Sequence, residues 1–182
     1  MAACRAREML DQMRVLVAAA SKHGATREIA AAIGRELVEQ GLVVEVMDID
    51  DTDDLGSFDA HVLGSAVYVG QWLASARHFV EANAGALSVA PTWLFSSGPL
   101  GDPLKPDEEH AVNVDGIVAT TSARDHRLFA GKLDRGRLGF GERAVVLAVR
   151  AADGDFRDWD EIRAWAKGIA DSLRCTETAE AG

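Results

Sequence analysis

Hydrophobic and polar positions along the chain alternate between patterns typical of strands and patterns typical of helices. A run of small apolar residues over 14–20 has the length of a buried strand, and Ile29, Ile33 and Leu37 then recur at helical spacing before Gly41. The pattern predicts further strands over 42–49, 60–66 and 91–98, with a second helix over 73–84. Strands that alternate with helices in this way indicate parallel βαβ units.

The second half of the chain has a less regular pattern. A helix is predicted over 107–121 and a fifth strand over 126–133, while the apolar stretch 139–151 fits neither class. Residues 155–173 form a clear amphipathic helix. Its apolar stripe consists of Trp159, Ile162, Trp165, Ala166 and Ile169. Together these elements predict one doubly wound α/β domain with about five strands.

Composition and charge place the chain among ordinary globular proteins and exclude some functions. It has 182 residues, of which 48% are hydrophobic and 26% charged. A formal net charge of −10 argues against general nucleic-acid binding, which requires a basic face. Cys4 and Cys175 lie at opposite ends and indicate neither a disulfide framework nor a metal site, so we expect a cytoplasmic protein.

The two ends of the chain differ from its body. Residues 1–12 carry charges where a signal peptide would be apolar, and we interpret them as an N-terminal extension. The domain is expected over 13–174, followed by a flexible tail over 175–182. No stretch approaches the roughly 18 apolar residues that a membrane span requires.

The first loop, "SKHGAT" over 21–26, joins a predicted strand to a predicted helix. Ligands of open parallel sheets bind beyond the carboxyl ends of the strands, and a helix start offers free N–H groups to a phosphate. Ser21 and Thr26 add hydroxyl groups, while Gly24 lets the backbone close around an anion. The alternative interpretation is a strand-to-helix turn with a polar cap.

Known phosphate-binding motifs narrow the possible ligand of this loop. The dinucleotide fingerprint G-x-G-x-x-G and the Walker loop are absent, because Gly24 stands alone until Gly34. The loop also lacks the cysteine of a phosphatase loop, and the strand ends lack the acidic residues of a receiver domain. These exclusions favour a mononucleotide phosphate.

Two further loops follow predicted strands at the same edge of the sheet. The segments "GSAVYVGQW" (64–72) and "SSGPLGDP" (96–103) combine small residues with apolar ones. Such loops suit a flat, uncharged ring held between them, with backbone groups at its edge. Tyr68 and Trp72 are candidates to contact that ring, whereas Trp93, Trp159 and Trp165 are expected in the core.

With these loops in place, the chain resembles the flavodoxin-like FMN-binding superfamily. Within it, the chain is most similar to the menaquinone-dependent protoporphyrinogen dehydrogenases and related flavodoxin-domain proteins. The resemblance covers about Met13 to Leu173 and rests on four segments. These are "SKHGATREIA" (21–30), "VLGSAVYVGQW" (62–72), "RDHRLFAGKL" (124–133) and "RDWDEIRAWA" (157–166).

The resemblance implies a flavodoxin-like five-stranded parallel sheet in the order 2-1-3-4-5, with helices on both faces. It also implies a non-covalent FMN. The phosphate would bind to Ser21, Lys22, His23, Gly24, Ala25 and Thr26. The isoalloxazine ring would lie between Ala66, Val67, Tyr68, Val69 and Gly70 on one side and Ser96, Ser97, Gly98, Pro99 and Leu100 on the other. No catalytic side chain and no metal site is assigned.

The implied function is an FMN-dependent oxidoreductase that oxidises a reduced tetrapyrrole and passes electrons to a quinone. The alternatives are a flavodoxin-type electron carrier that docks a redox protein, and a non-enzymatic domain whose loop binds another phosphate or nothing. Residues 124–150 carry seven basic side chains against three acidic ones. This stretch is either a solvated basic face or a contact for anionic lipids at the membrane surface or for porphyrin carboxylates.

Overall fold

The computed structural model describes residues 13–52, 54–98, 112–133 and 154–180, with side chains up to residue 175. The strands are β1 (Arg14–Ala20), β2 (Val43–Asp48), β3 (Ala60–Tyr68), β4 (Gln71–Trp72), β5 (Thr92–Ser97), β6 (Asp125–Phe129), β7 (Lys132–Leu133) and β8 (Gly154–Asp155). The helices are α1 (Ala25–Glu39), α2 (Ala74–Ala82), α3 (Ala84–Val89), α4 (Asp115–Thr121) and α5 (Trp159–Glu180).

The main sheet runs in the order β2-β1-β3-β5-β6, and these strands are parallel. When the short β4 is left out, this is the predicted order 2-1-3-4-5. β1 lies between two neighbours, and its last six residues are buried, which explains why it is a continuous apolar run. The order reverses between β1 and β3, so the fold has its topological switch point there.

Two apolar layers flank the sheet. On one face, α1 and α5 pack against the odd-numbered residues of β1, and the layer includes Ile33, Trp165 and Ile169. On the other face, α2, α3 and α4 cover the even-numbered residues Leu16 and Ala18. Trp93 and Trp165 belong to the first layer, as the sequence predicts, and Trp159 packs against its edge.

α1 ends as its sequence predicts. Gly41 has a φ of 93°, and its N–H donates to the Val38 carbonyl at 2.9 Å. The next N–H, of Leu42, donates to the Leu37 carbonyl at 3.1 Å. This pair of bonds is a Schellman motif, which glycine permits because it has no Cβ to resist a left-handed backbone.

Several element boundaries differ from the sequence-based prediction because side chains bond the backbone locally. The helix expected over 73–84 divides at Asn83, whose Nδ2 donates to the Phe79 carbonyl at 2.8 Å and competes with helix continuation. The last helix begins at Trp159, since Asp158 Oδ1 accepts from the N–H groups of Asp160 and Glu161 at 2.9 and 3.0 Å.

The other two differences lie around the fifth main strand. The helix expected over 107–121 comprises only Asp115–Thr121 among the described residues. The strand expected over 126–133 ends at Phe129, and Lys132–Leu133 instead pairs antiparallel with Gly154–Asp155. The expectations for 1–12 and 139–151 lie outside the described residues. Within the described ranges, no helix has the length and apolar character needed to cross a membrane.

Candidate functional site

The three candidate loops follow neighbouring strands at the carboxyl edge of the sheet. Ala20 at the end of β1 is paired in register with Ser65 of β3, and Ser65 is paired with Ser96 of β5. The last residues of these strands and the loops that follow them are therefore brought to one edge, at the switch point. The structure describes Ser21–Thr26, Ala66–Gly70 and Ser96–Gly98 there, while Pro99 and Leu100 lie outside the described residues.

The first loop leaves the start of α1 without a side-chain cap. Gly24 is the N-cap residue, with a φ of 91°, and within the described part of the chain it has no side-chain capping hydrogen bond. The Ser21 hydroxyl accepts from the Gly24 N–H at 3.0 Å and so shapes the loop ahead of the helix. An uncapped first turn keeps its N–H groups available to an anion.

Steric space and donor chemistry at this loop fit a phosphate. A Cβ built on Gly24 meets no atom of the described residues within 4 Å, so among them the backbone at the helix start is open on that side. Thr26 is buried at the first turn, and Lys22 adds a cation. Backbone N–H groups, hydroxyl groups and an ammonium group are the donors that bind phosphate in proteins.

The second loop is a tight hairpin between β3 and β4. Tyr68 pairs with Gln71, and the two residues between them, Val69 and Gly70, have φ values of 49° and 72°. Positive φ at both central positions is typical of a type I′ turn. The Gly70 carbonyl accepts from the Asn113 N–H at 2.8 Å, which ties the hairpin to the chain before α4.

A contact joins the first loop to the second. The Lys22 Nζ lies 5.5 Å from the centroid of the Tyr68 ring, within the range of a cation–π interaction. Tyr68 is half-buried, and Val69 beside it is 91% exposed. Tyr68 is thus a half-buried side chain at the contact between the first two loops, and its contact with a bound ring stays a prediction.

Trp72, the other candidate aromatic, is directed into the core. It is 2% exposed, and its Nε1 donates to the Ser96 hydroxyl at 2.8 Å. The same hydroxyl lies 2.8 Å from His126 Nε2. Burial lowers the pKa of His126, although Asp125 opposes this effect, so the imidazole is neutral at pH 7. The Ser96 side chain is therefore used inside the fold.

The third loop begins where three backbones approach closely. A Cβ on Gly98 would lie 3.0 Å from Val67 Cβ and 3.1 Å from the Val67 carbonyl oxygen. A Cβ on Gly131 would lie 3.3 Å from Gly98 Cα, and the Gly131 carbonyl accepts from the Phe156 N–H at 3.1 Å. The segment before α5 therefore contacts the third loop through Gly131.

Arg157 is a buried residue at the start of α1 that the sequence did not single out. Its side chain is 2% exposed, and its guanidinium binds both oxygens of Asp155, the Ala25 carbonyl and the Glu28 carboxylate. The signal in the sequence is weak: an acidic residue two positions before Arg157 and a tryptophan two positions after it. Only the fold brings this arginine to the start of α1.

Comparisons with known proteins identify the family and the fold. A family model described as "Flavodoxin domain" matches residues 16–160. The protoporphyrinogen IX dehydrogenase [quinone] of Escherichia coli K12 is 23% identical over 172 residues, covering 87% of this chain and 95% of that protein.

Solved flavodoxins share the fold. A flavodoxin from the domain Archaea superposes with a TM-score of 0.58 and 15% identity, over 89% of this chain and 99% of that one. Flavodoxin 2 of Bacillus cereus superposes with a TM-score of 0.60 and 18% identity, over 87% and 99% of the two chains. The flavodoxin-like fold expected from the resemblance is confirmed.

Proposed function

Because this chain belongs to the Flavodoxin domain family, we propose that the three loops at its carboxyl edge hold FMN. FMN binding and a redox role follow from the family itself. The phosphate binds to Ser21–Thr26, and the isoalloxazine ring lies between residues 66–70 and 96–100. The observation that carries this proposal is the start of α1 at Gly24. Among the described residues it has no side-chain cap, and the space where a Cβ of residue 24 would lie is open.

The chain's own residues bind and orient the cofactor. First-turn N–H groups of α1 and the hydroxyl groups of Ser21 and Thr26 donate to the phosphate. Tyr68 packs against the ring, and the close approach of Gly98 to Val67 holds the start of the third loop against β3. When bound, FMN supplies the electron-transfer chemistry.

We further propose an oxidoreductase of the protoporphyrinogen dehydrogenase type, with a quinone as electron acceptor. The support is the match to the Escherichia coli dehydrogenase. The match covers 95% of that protein, so it leaves no large part of the dehydrogenase unmatched. The substrate is then a reduced tetrapyrrole. The sequence 124–150 is rich in basic residues, and those of its described part, 124–133, are candidates to bind the substrate carboxylates or anionic head groups.

A flavodoxin-type electron carrier is the second candidate. The observation that favours it is the net charge of −10, which would attract a basic redox protein to an acidic surface. A carrier requires an exposed ring edge and no substrate cavity beside it.

One assay separates the two. FMN-loaded protein is mixed anaerobically with protoporphyrinogen and a soluble quinone, and porphyrin fluorescence is followed, with apo-protein as the control. The proposed enzyme produces porphyrin only when FMN and quinone are both present. Loss of activity on omission of FMN would support it. In a second arm the soluble quinone is replaced by a quinone in lipid vesicles, and a higher rate with anionic than with neutral vesicles would add support. A loaded protein that exchanges electrons with a flavodoxin reductase but leaves protoporphyrinogen unchanged is the carrier.

A further inference from the structure

Arg157 is a buried cation, and each of its three guanidinium nitrogens has an acceptor. Its Nε and Nη2 donate to the two oxygens of Asp155 at 2.7 and 2.6 Å. Its Nη1 donates to the Ala25 carbonyl at 3.2 Å and lies 2.8 Å from Glu28 Oε2. The guanidinium carbon also lies 4.4 Å from the centroid of the Trp159 ring. A planar fork suits this arrangement, and a lysine ammonium could not reproduce it.

The two α1 groups that Arg157 binds both belong to the first turn of that helix. Ala25 is the first residue of α1, and Glu28 is the acidic residue of its first turn. A carboxylate at a helix start interacts favourably with the helix dipole, and so does a phosphate. A phosphate monoester carries about −1.5 to −2 charges at neutral pH, so a free Glu28 carboxylate would repel it.

Arg157 therefore acts on the phosphate loop in two ways. It fixes the backbone of the first turn through the Ala25 carbonyl, and it holds the Glu28 carboxylate in an ion pair. The Arg157 fork lowers the pKa of the Asp155 carboxyl, chiefly by hydrogen bonding, so the anchoring pair stays ionised at neutral pH.

We propose that Arg157 is a positioning residue for the FMN phosphate. It orders the first turn of α1 and neutralises Glu28, so that the phosphate meets a preformed set of N–H donors without an opposing carboxylate. This inference rests on the FMN site proposed above. It concerns recognition of the phosphate and leaves the ring wall unchanged.

Arg174 of α5 provides a matched control, because it contacts the C-terminal end of α1. Its Nη2 donates to the Gln40 carbonyl at 2.8 Å and lies 3.2 Å from Gln40 Oε1, and its Nη1 pairs with Asp171 at 2.5 Å. Both arginines thus tie α1 to α5 or to the segment before it. Only Arg157 contacts the turn that the phosphate approaches.

The experiment compares FMN with riboflavin, which has the same ring and no phosphate. Apo forms of the wild type, Arg157→Gln and Arg174→Gln are titrated with each flavin at pH 7, and the quenching of flavin fluorescence is measured. We expect Arg157→Gln to weaken FMN binding by about tenfold, as for the loss of a charge-assisted hydrogen bond, and riboflavin binding by less than about twofold. Arg174→Gln should lower Tm and leave the ratio of the two affinities unchanged.

A third variant tests the charge effect. Glu28→Gln, added to Arg157→Gln, should recover part of the FMN affinity because it removes the unpaired carboxylate. If Arg157→Gln does not fold, Arg157→Lys is measured in its place. It keeps the charge near Glu28 but loses the fork that binds Asp155 and the Ala25 carbonyl, so it should show a smaller loss of FMN affinity that is still selective over riboflavin.

The outcomes separate the two proposals. If the Arg157 variant loses affinity for FMN and riboflavin equally, or for neither, the positioning role is overturned while the FMN site stands. A wild type that binds FMN no more tightly than riboflavin overturns both the phosphate loop and the role of Arg157.

Discussion

Val69 is under backbone strain at the edge of the proposed ring site. It has a φ of 49° and is 91% exposed, so the strain is not offset by burial of its side chain. Left-handed backbone costs non-glycine residues roughly 1–2 kcal/mol, and β-branched residues rarely adopt it. Asn-Gly is the pair that this turn type prefers, and the chain has Val69–Gly70 instead.

Val69→Asn should therefore raise stability by about 0.5–1 kcal/mol, because asparagine tolerates the left-handed region. The measurement is Tm and the free energy of unfolding of the apo-protein in urea. Val89→Asn is the control, since Val89 is also exposed, at 84%, and has no positive φ. An equal gain in both variants would mean that reduced surface hydrophobicity, and not backbone strain, is responsible.

His61 is a buried imidazole on β3. It is 1% exposed, its Nε2 lies 3.4 Å from the Leu55 carbonyl oxygen, and its Nδ1 has no hydrogen-bond partner among the residues that the structure describes. Burial lowers its pKa, against smaller opposing effects of the Leu55 carbonyl and Asp59. The folded protein thus disfavours the proton, whereas the unfolded chain binds it below about pH 6.5.

Stability should consequently fall as pH drops from about 6.5 through the folded-state pKa of His61, by at most about 1.4 kcal/mol per pH unit for one proton. His61→Leu should flatten this dependence, which urea unfolding at pH 7.5, 6.5 and 5.5 measures. His78→Leu, at an exposed position of α2, is the control. The same slope in the wild type and His61→Leu would rule out His61 as the source.

At the scale of elements, the packing of β3 against β5 depends on Gly64, which lies under the ring of Phe95. Phe95 is fully buried, and its ring lies 6.2 Å from that of Phe129 and 6.3 Å from that of Trp165. A Cβ on Gly64 would lie 2.0 Å from Phe95 Cζ. The aromatic cluster that anchors α5 to the sheet therefore depends on the missing side chain of Gly64.

Gly64→Ala should destabilise the fold by about 1–3 kcal/mol, the usual cost of an overpacked core. Gly168→Ala is the matched control, because Gly168 lies inside α5 and its Cβ position has no atom of the described ranges within 4 Å. That substitution should stabilise the protein by up to about 1 kcal/mol through helix propensity. Urea unfolding of both variants measures the contrast, and a neutral Gly64→Ala would contradict the packing argument.

The elements that sequence predicts best are those with a strong hydrophobic period. β1 matches its predicted bounds, and α1 has the predicted glycine beyond its end. The burial of both faces of β1 and of one stripe of α1 requires apolar residues there, and these residues give the strong period. The boundaries that differ depend on single side chains, such as Asn83 and Asp158, which bond the backbone at one point and leave the hydrophobic period unchanged.

At the scale of the molecule, topology explains which parts of the site were predictable. Loops after parallel strands must meet at one edge, so Ser21–Thr26 and Ala66–Gly70 could be grouped from sequence. Contacts between distant segments could not: Arg157 and Ala25 are 132 positions apart. The hydrogen bonds of the Ser96 hydroxyl with Trp72 and His126 could not be predicted either, because hydrophobic periodicity does not reveal side-chain hydrogen bonds.

The central claim is that one mononucleotide, FMN, occupies the three loops at the switch point. The most direct test is a titration of the apo-protein with FMN, followed by flavin fluorescence and by Tm. We predict saturable quenching at one FMN per chain and a rise in Tm that grows with FMN concentration, both weaker with riboflavin. Unquenched FMN fluorescence and an unchanged Tm across the titration would contradict the claim.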